Sequence, residues 1–262
     1  MSSTLPIRFV VNSKALVAEC VLVGWDQAAF GFPVAQIERL QIRDPETAGR
    51  DFERVAAWLD QQGVKLASCR LAHDQLSESM LLETNGFRFV EMVISPKLDG
   101  VDKLAGCADS IAIEPAGASD VPALQAIAQS AFGHERYHVD PRLNRQLADK
   151  RYGNWVANTL THSSQKLLKI TDANRLVGVF IAERFPGGHA YWHLTAIAPE
   201  WQGMGYGRRV WTAMLNRHSA EGCVSLTTNV SVRNVAVLNL YARLGFRFLP
   251  PQMTFHWLRS GG

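Results

Sequence analysis

Three glycines at alternate positions, in Gln202-Gly203-Met204-Gly205-Tyr206-Gly207, lie between an apolar run (Tyr191 to Ala198) and a helical pattern (Arg208 to His218). Glycine lets the chain turn tightly and brings its backbone close to a ligand. Such a turn at a helix start aims several peptide N–H groups at one point, and the helix dipole adds to the field. The natural guest is a pyrophosphate. Two familiar phosphate motifs do not fit. A P-loop needs Lys-Ser/Thr after its last glycine, and here Arg208-Arg209 follow. A dinucleotide fingerprint needs an acidic residue after the next strand, and Val224 to Thr228 runs into Asn229 instead. Both arginines fall in the first helical turn, where the dipole disfavours cations. A bound polyphosphate removes that conflict for Arg208, whereas Arg209 is expected to bend into solvent.

The glycines instead fit Gln/Arg-x-x-Gly-x-Gly/Ala. The region resembles the acetyl-CoA pyrophosphate loop of the GCN5-related N-acetyltransferases, the GNAT superfamily. The resemblance implies acetyl-CoA, or another acyl-CoA, as co-substrate, held by Gln202, Gly203, Met204, Gly205, Gly207 and Arg208. Downstream, Asn234, Tyr241 and Gly245-Phe246 stand at the superfamily's spacing, with Val237 where many members have Ala. They imply an Asn facing the cofactor, a Tyr beside the thioester sulfur and a Gly-Phe that ends the helix. The resemblance further implies that the strand Ala190 to Ala198 splays from its neighbour. Thr195 and Ile197 then contact pantetheine through their backbones, and the Thr195 N–H faces the oxyanion. Tyr241 is the implied donor to the leaving thiolate; a core tyrosine is the competing reading.

Acyl transfer to an amine also needs a base. A strand's period of two puts Tyr191, His193, Thr195 and Ile197 on one face. His193 then faces the thioester, and its titration range suits a general base. A satisfied structural histidine is the alternative. Glu183, near the end of the preceding strand, is a second candidate base, and a water chain a third. Tyr191 is assigned to the acceptor side. His134-Glu135-Arg136-Tyr137-His138 matches H-E-x-x-H, but Gly133 precedes it, Asp140-Pro141 closes it, and no third ligand follows at zincin spacing. No metal is expected. Cys20, Cys69, Cys107 and Cys223 lack C-x-x-C spacing and read as reduced, buried thiols.

Across its length the chain resembles bacterial dTDP-fucosamine acetyltransferases and related nucleotide-sugar N-acyltransferases. Three segments carry this: Gly24-Trp25-Asp26-Gln27-Ala28-Ala29-Phe30-Gly31, with Ala29 departing from an aromatic; Arg136-Tyr137-His138-Val139-Asp140-Pro141; and Tyr152-Gly153-Asn154-Trp155-Val156-Ala157-Asn158. The implied acceptor is a dTDP-linked amino-deoxysugar. Arg136 would hold its diphosphate, Tyr137 stack on base or sugar, and His138 or Asp140 bond its hydroxyls. The alternative makes Asp140-Pro141 an ordinary turn and Arg136 a solvated residue. Trp25 and Trp155 read as core anchors. Another small amine (a polyamine or an antibiotic), a protein amine, or a non-catalytic CoA-sensing module are the other readings. Arg136, Arg142, Arg145, Lys150 and Arg151 tilt toward an anionic acceptor.

These residues need a scaffold. The chain has 262 residues, is 47% apolar and carries a net charge of +3, enough for two modest cores and too mild for nucleic acid or a membrane surface. No segment approaches a membrane span, so a soluble, cytoplasmic protein is expected, with a homodimer implied by resemblance only. The C-terminal pattern reads β-α-α-β-β-β-α-β-α-β. Its helices include 142–160, 208–218 and 232–244, and a final strand runs from Phe246 to His256. In the first half, Arg50 to Gln62 reads as a helix burying Phe52, Val55, Ala56 and Leu59. Gly86-Phe87-Arg88-Phe89 recurs as Gly245-Phe246-Arg247-Phe248, each after a helix. Leu82 then stands in Tyr241's place, and no glycine loop precedes it. The expectation is an α/β (α+β) GNAT fold: a central mixed, mostly antiparallel sheet flanked by helices. Residues 1–105 form a degenerate GNAT-like half and 106–262 the catalytic domain, with a linker around 98–110.

Overall fold

The computed structural model describes residues 6–104, 106 and 109–259; Cys107 lies outside them. In chain order the elements are β1 (Arg8–Asn12), β2 (Leu16–Leu22), α1 (Gly24–Phe30), β3 (Val34–Ile42), α2 (Ala48–Gln61), β4 (Leu66–Ala72), α3 (Leu76–Thr84), β5 (Arg88–Ile94) and β6 (Pro96–Asp99). There follow β7 (Ile111–Pro115), α4 (Val121–Ala131), α5 (Arg136–Val139), α6 (Arg145–Thr159), β8 (Gln165–Asp172), β9 (Arg175–Phe185) and β10 (His189–Ile197). The chain ends with α7 (Tyr206–Ala220), β11 (Ser225–Thr228), β12 (Val230–Ser231), α8 (Val235–Arg243), β13 (Arg247–Phe248) and β14 (Gln252–Leu258). This is the expected α/β (α+β) class: two mostly antiparallel sheets flanked by helices.

Contacts divide the chain into two compact units that trade segments across the expected 105/106 division. Unit 1 comprises residues 1–93, 139–144 and 250–262; unit 2 comprises 94–138 and 145–249.

In unit 1 the strands lie in the order β1-β2-β3-β4-β14-β5, with β3 and β4 parallel. Its core gathers Phe52, Val55, Trp58 and Leu59 of α2 against Leu82, Phe87 and Phe255. The helix buries Trp58 where Ala56 was expected: Ala56 faces water, and the larger side chain two residues on takes the core. β14 pairs with β4 on one side and β5 on the other, so the sheet is completed by residues from the far end of the sequence. The expected single strand from Phe246 to His256 is therefore two strands in two sheets. Pro250-Pro251 separates them, because proline withholds a ladder donor and bends the chain out of register.

Unit 2 has the order β13-β6-β11-β10-β9-β8-β7. Here β6, which lies within the expected first half, pairs with β11 and β13. Helices α7 and α8 cover one face through Val210, Trp211, Met214 and Tyr241, while α4 and α6 cover the other through Leu124, Ala128, Tyr152 and Val156.

The repeated tetrapeptide marks the same device in both halves. Gly86 and Gly245 have φ of +82° and +83°, a left-handed turn that suits glycine. The N–H of Phe87 bonds the Leu82 carbonyl and that of Phe246 the Tyr241 carbonyl, both at 3.0 Å. Each phenylalanine is then delivered into its own core.

Candidate functional site

β10 and β11 run parallel for four residue pairs, from His189↔Ser225 to Trp192↔Thr228, and then part. β10 continues to Ile197 on β9 alone, so its other edge is open from His193 onward. A bulge at His193 falls at the parting point: Trp192 pairs with Ala182, Leu194 with Ile181, and His193 has no partner residue. One extra residue reverses which side chains face which way. Ala190 and Trp192 lie in the core under α7, but Leu194 and Ala196 lie in the core under α4 and α6. The expected shared face of Tyr191, His193, Thr195 and Ile197 is thus split. Tyr191 pairs with Glu183 on the α6 side, where His193 also points. Thr195 pairs with Phe180, on the α7 side with Ile197.

The glycine loop opens beside this fork. Gly203 and Gly205 have φ of +76° and +82°, and a Cβ at either would meet nothing within 4 Å. Neither glycine is crowded where a side chain would stand. Gly205 is the N-cap of α7 and gives no side-chain cap, which leaves the first-turn N–H groups without one. Gln202 donates its amide to the Ile197 carbonyl at 2.9 Å and so ties the turn to the end of β10. Met204 projects outward and is 65% exposed, so its contribution is its backbone. A Cβ on Gly207 would lie 3.4 Å from Leu240, so α7 starts close against α8. Arg208 is exposed, with no ion-pair partner recorded among the described residues. Arg209, expected in solvent, instead reaches Asp109 at 2.7 Å and Asp172 at 3.0 Å. Asp172 also accepts the Ser110 and Tyr206 hydroxyls at 2.6 and 2.8 Å. Hydrogen bonds from Ser110, then Arg209 and Tyr206, hold the Asp172 carboxyl well below the usual carboxylate range. This network fixes the α7 start without using its anion-facing N–H groups.

Asn234 caps α8, its Oδ1 accepting the Val237 N–H at 3.2 Å. Tyr241 is 3% exposed, ringed by Phe246 at 4.8 Å and by Trp192 and Trp211, each at 6.4 Å. Its ring is part of the core. Burial pushes the phenol up to about 12, partly offset by Trp211 and Thr228 beside the hydroxyl. Thr228 is the last β11 residue before the fork.

On the α6 side, His193 Nε2 lies 2.7 Å from Glu183 Oε2. Tyr191 and Trp155 flank the imidazole edge-on at 4.7 and 6.1 Å. Burial is the largest influence on His193 and pulls its titration below the usual range, with Glu183 opposing only in part. The Glu183 carboxyl is itself lowered, first by a hydrogen bond from Ser164 and then by His193. A neutral imidazole giving Nε2–H to this carboxylate keeps its lone pair on Nδ1. Trp155, expected as a core anchor, is only half-buried and gives Nε1–H to Gln165.

The acceptor residues expected between 136 and 140 do not converge. Tyr137 is 1% exposed, with the guanidinium groups of Arg136 and Arg151 over its ring at 4.4 and 4.7 Å. Its faces are taken, so it cannot stack on a base. Arg136 is spent on the same ring and donates to the Tyr137 hydroxyl at 2.6 Å. The His138 side chain is fully buried, paired with Asp149 at 2.9 Å and Glu135 at 3.5 Å. Asp140 belongs to unit 1, where it accepts from His256 Nδ1 at 2.9 Å and from Arg142 at 2.9 and 2.8 Å. Burial alone would push its carboxyl up; the hydrogen bonds from His256 and Arg142 outweigh that and hold it well below the usual range. Trp25, expected as a core anchor, is 43% exposed. The resemblance implied the parting of β10, but the pairing of Glu183 with His193 was not foreseen, and the bulge left no mark in the alternation.

One other cluster has metal-ligand chemistry. His218 Nδ1 faces Glu221 at 3.4 Å and Cys223 at 3.7 Å. Indole is a donor only, and Trp192 Nε1 gives its proton to His218 Nε2 at 2.9 Å. The ring proton must then sit on Nδ1, which blocks the atom that a metal would need. Among the described residues no helix is long and apolar enough to cross a membrane.

Residues 121–246 match the family model described as Acetyltransferase (GNAT) family. The curated spore coat polysaccharide biosynthesis protein SpsD of Bacillus subtilis (strain 168) is 21% identical over 132 residues; the match takes in 50% of this chain and 45% of that protein. The chain therefore spans less than half the length of that relative. In fold, the chain is similar to a GCN5-related N-acetyltransferase from Sphaerobacter thermophilus (TM-score 0.62, 14% identity, 95% of this chain and 82% of that one). It is also similar to a tandem GNAT protein from the clavulanic acid biosynthesis pathway (TM-score 0.61, 12% identity, 100% and 85%).

Proposed function

Because residues 121–246 match the family model described as Acetyltransferase (GNAT) family, we propose that the chain transfers an acyl group from acyl-CoA, acetyl-CoA first among them, to the primary amine of an amino sugar. The observation that carries this reading is the His193–Glu183 pair at 2.7 Å, set at the fork of β10 and β11.

The residues present fit the co-substrate. The turn at 202–207 is uncrowded at Gly203 and Gly205, and the α7 start has no side-chain cap, which leaves its N–H groups for a diphosphate. Arg208 adds a cation at the same end. The open edge of β10 offers the Thr195 and Ile197 backbones to the pantetheine amides. Bound there, the thioester supplies the acyl group. The chain supplies the proton handling: His193 Nδ1 takes a proton from the attacking amine while Glu183 holds Nε2–H and stabilises the imidazolium. The Tyr241 phenol, protonated at neutral pH, gives a hydrogen bond to the departing sulfur. Asn234 caps the start of α8, and the Tyr241 hydroxyl further along that helix lies beside Thr228.

Tyr191 and Trp155 flank His193 with apolar edges, a surface suited to a sugar ring. A sugar amine also agrees with the polysaccharide role in the name of the distant relative. A nucleotide-linked amino-deoxysugar, dTDP-linked first, is the acceptor to test. The test is thiol release from acyl-CoA with nucleotide-linked amino sugars, free amino sugars, polyamines and peptide amines. Release with the sugars and none with polyamines supports the reading. Release with polyamines alone, or none with any amine despite CoA binding, rejects it.

A further inference from the structure

The two halves pass through one series of elements. β3 pairs in parallel with β4 for four residues, Val34↔Leu66 to Ile37↔Cys69, as β10 does with β11. β3 then bulges at Glu38, between Ile37↔Cys20 and Arg39↔Glu19, where β10 bulges at His193. α3 follows β4 as α8 follows β11, with Gln75 at the N-cap as Asn234 is in α8. Each helix then ends in the repeated Gly-Phe-Arg-Phe. Counting from the parallel pairs, Leu40 and Ile42 stand where Thr195 and Ile197 stand. Unit 1 therefore contains the strand fork that in unit 2 is proposed to take pantetheine.

In unit 1 that fork is filled by the chain itself. Gln75 Nε2 donates to the Leu40 carbonyl at 3.1 Å, and its Oε1 accepts the Ala72 N–H at 2.9 Å. One side-chain amide thus bridges the two parted strands. Glu78 Oε1 accepts the Ile42 N–H at 2.9 Å, and the Glu78 side chain is buried. In unit 2 the corresponding places hold the shorter Asn234, turned back on its own helix, and Val237, which has no hydrogen-bonding group. The entrance differs in the same sense. Where unit 2 has its glycine loop, unit 1 has Arg43-Asp44-Pro45-Glu46-Thr47. Asp44 takes the Glu46 N–H at 3.1 Å, the Thr47 hydroxyl at 2.5 Å and, through its carbonyl, the Ala48 N–H at 3.0 Å. The Asp44 carboxylate takes one loop N–H and one hydroxyl, and Pro45 has no N–H to offer, so this loop presents fewer donors than the glycine loop.

We propose that unit 1 keeps the cofactor fork of the fold with Gln75 and Glu78 bound in the ligand's place, so that the chain holds a single acyl-CoA and the first fork serves as a sealed structural joint. The count of one rests on the CoA reading of unit 2; the sealing of unit 1 does not. The experiment is residue-resolved amide hydrogen exchange on the full chain, with and without saturating CoA, beside a calorimetric CoA titration. The Ile42 and Ala72 amides exchange slowly and CoA leaves them unchanged. In Gln75→Ala/Glu78→Ala they exchange about tenfold faster or more, the loss of one hydrogen bond each. The titration gives one site per chain, removed by Gly205→Asp. Slowing of Ile42 or Ala72 by CoA in the unaltered protein, or two CoA sites per chain, overturns the proposal without any variant. Unchanged exchange in the double variant overturns it also. Absence of any CoA site refutes the proposed function and the count, and leaves the sealing to be judged by the exchange rates.

Discussion

Leu82 and Tyr241 occupy one position in two copies of the same helix ending, each giving its carbonyl to the N–H of the phenylalanine five residues on at 3.0 Å. Both are buried. The position is a packing position first; Tyr241 adds a hydroxyl there in the half with the glycine loop, and Leu82 has none in the half without it.

Tyr241→Phe keeps the ring and removes that hydroxyl. The expected result is a folded protein, destabilised by about 1 kcal/mol, whose kcat falls about a hundredfold with KM for acyl-CoA little changed. An unaltered kcat would assign Tyr241 to packing alone. Steady-state kinetics and thermal melts separate the two outcomes.

His193 titrates below the usual histidine range because it is buried, so its neutral, proton-accepting form is already present below pH 7. The expected kcat/KM rises with pH along one acid limb, midpoint below about 6.5, and then levels. Glu183→Gln removes the charge that favours imidazolium, so the limb moves to lower pH while the plateau falls. His193→Ala abolishes the limb. A limb that survives in His193→Ala would place the base elsewhere.

Gly205 sits at φ +82° with open space where a Cβ would go. Gly205→Ala is therefore a conformational and not a steric lesion, costing about 1–2 kcal/mol. The strain shifts the loop N–H groups proposed to hold the diphosphate, so KM for acyl-CoA is expected to rise about tenfold or more. An unchanged KM would mean that the turn does not hold the diphosphate.

In unit 1, Asp140 is buried with its carboxylate on His256 and Arg142. Its folded titration lies below the unfolded value of about 3.9, so its stabilisation is fully present above that pH and fades as pH falls through the folded value. Asp140→Asn should cost about 3 kcal/mol at pH 7, as when one member of a buried pair is lost. Its melting temperature should respond less to acid than that of the unaltered protein. Equal losses at pH 7 and pH 3 would contradict the pairing.

The glycine turn was legible because positive φ and a helix start leave a direct mark in residue type. So were the paired Gly-Phe endings and the order of helices and strands. The faces of β10 were not: a single inserted residue at His193 reverses the alternation, and no side chain announces a bulge. Residues 136–140 misled for another reason. An Arg-Tyr pair and an Asp-Pro turn have the chemistry of a sugar diphosphate site, yet their partners are Arg151 on the following helix and His256 from the far end of the chain. Charges that look free along the chain are spent in space. Pro250-Pro251 was visible, but not the sheet that the following strand would join.

That last strand has a consequence for how the molecule comes into being. Residues 252–258 fill the gap between β4 and β5, and residues 96–99 fill the one between β11 and β13. On the ribosome, everything up to residue 94 can emerge and still wait, with two unpaired strand edges, until the C-terminal segment is translated. Cutting the gene between residues 105 and 106 would free a fragment with those edges bare, and aggregation is its expected fate. The two stretches are separate along the sequence, but each sheet is complete only when both have been made.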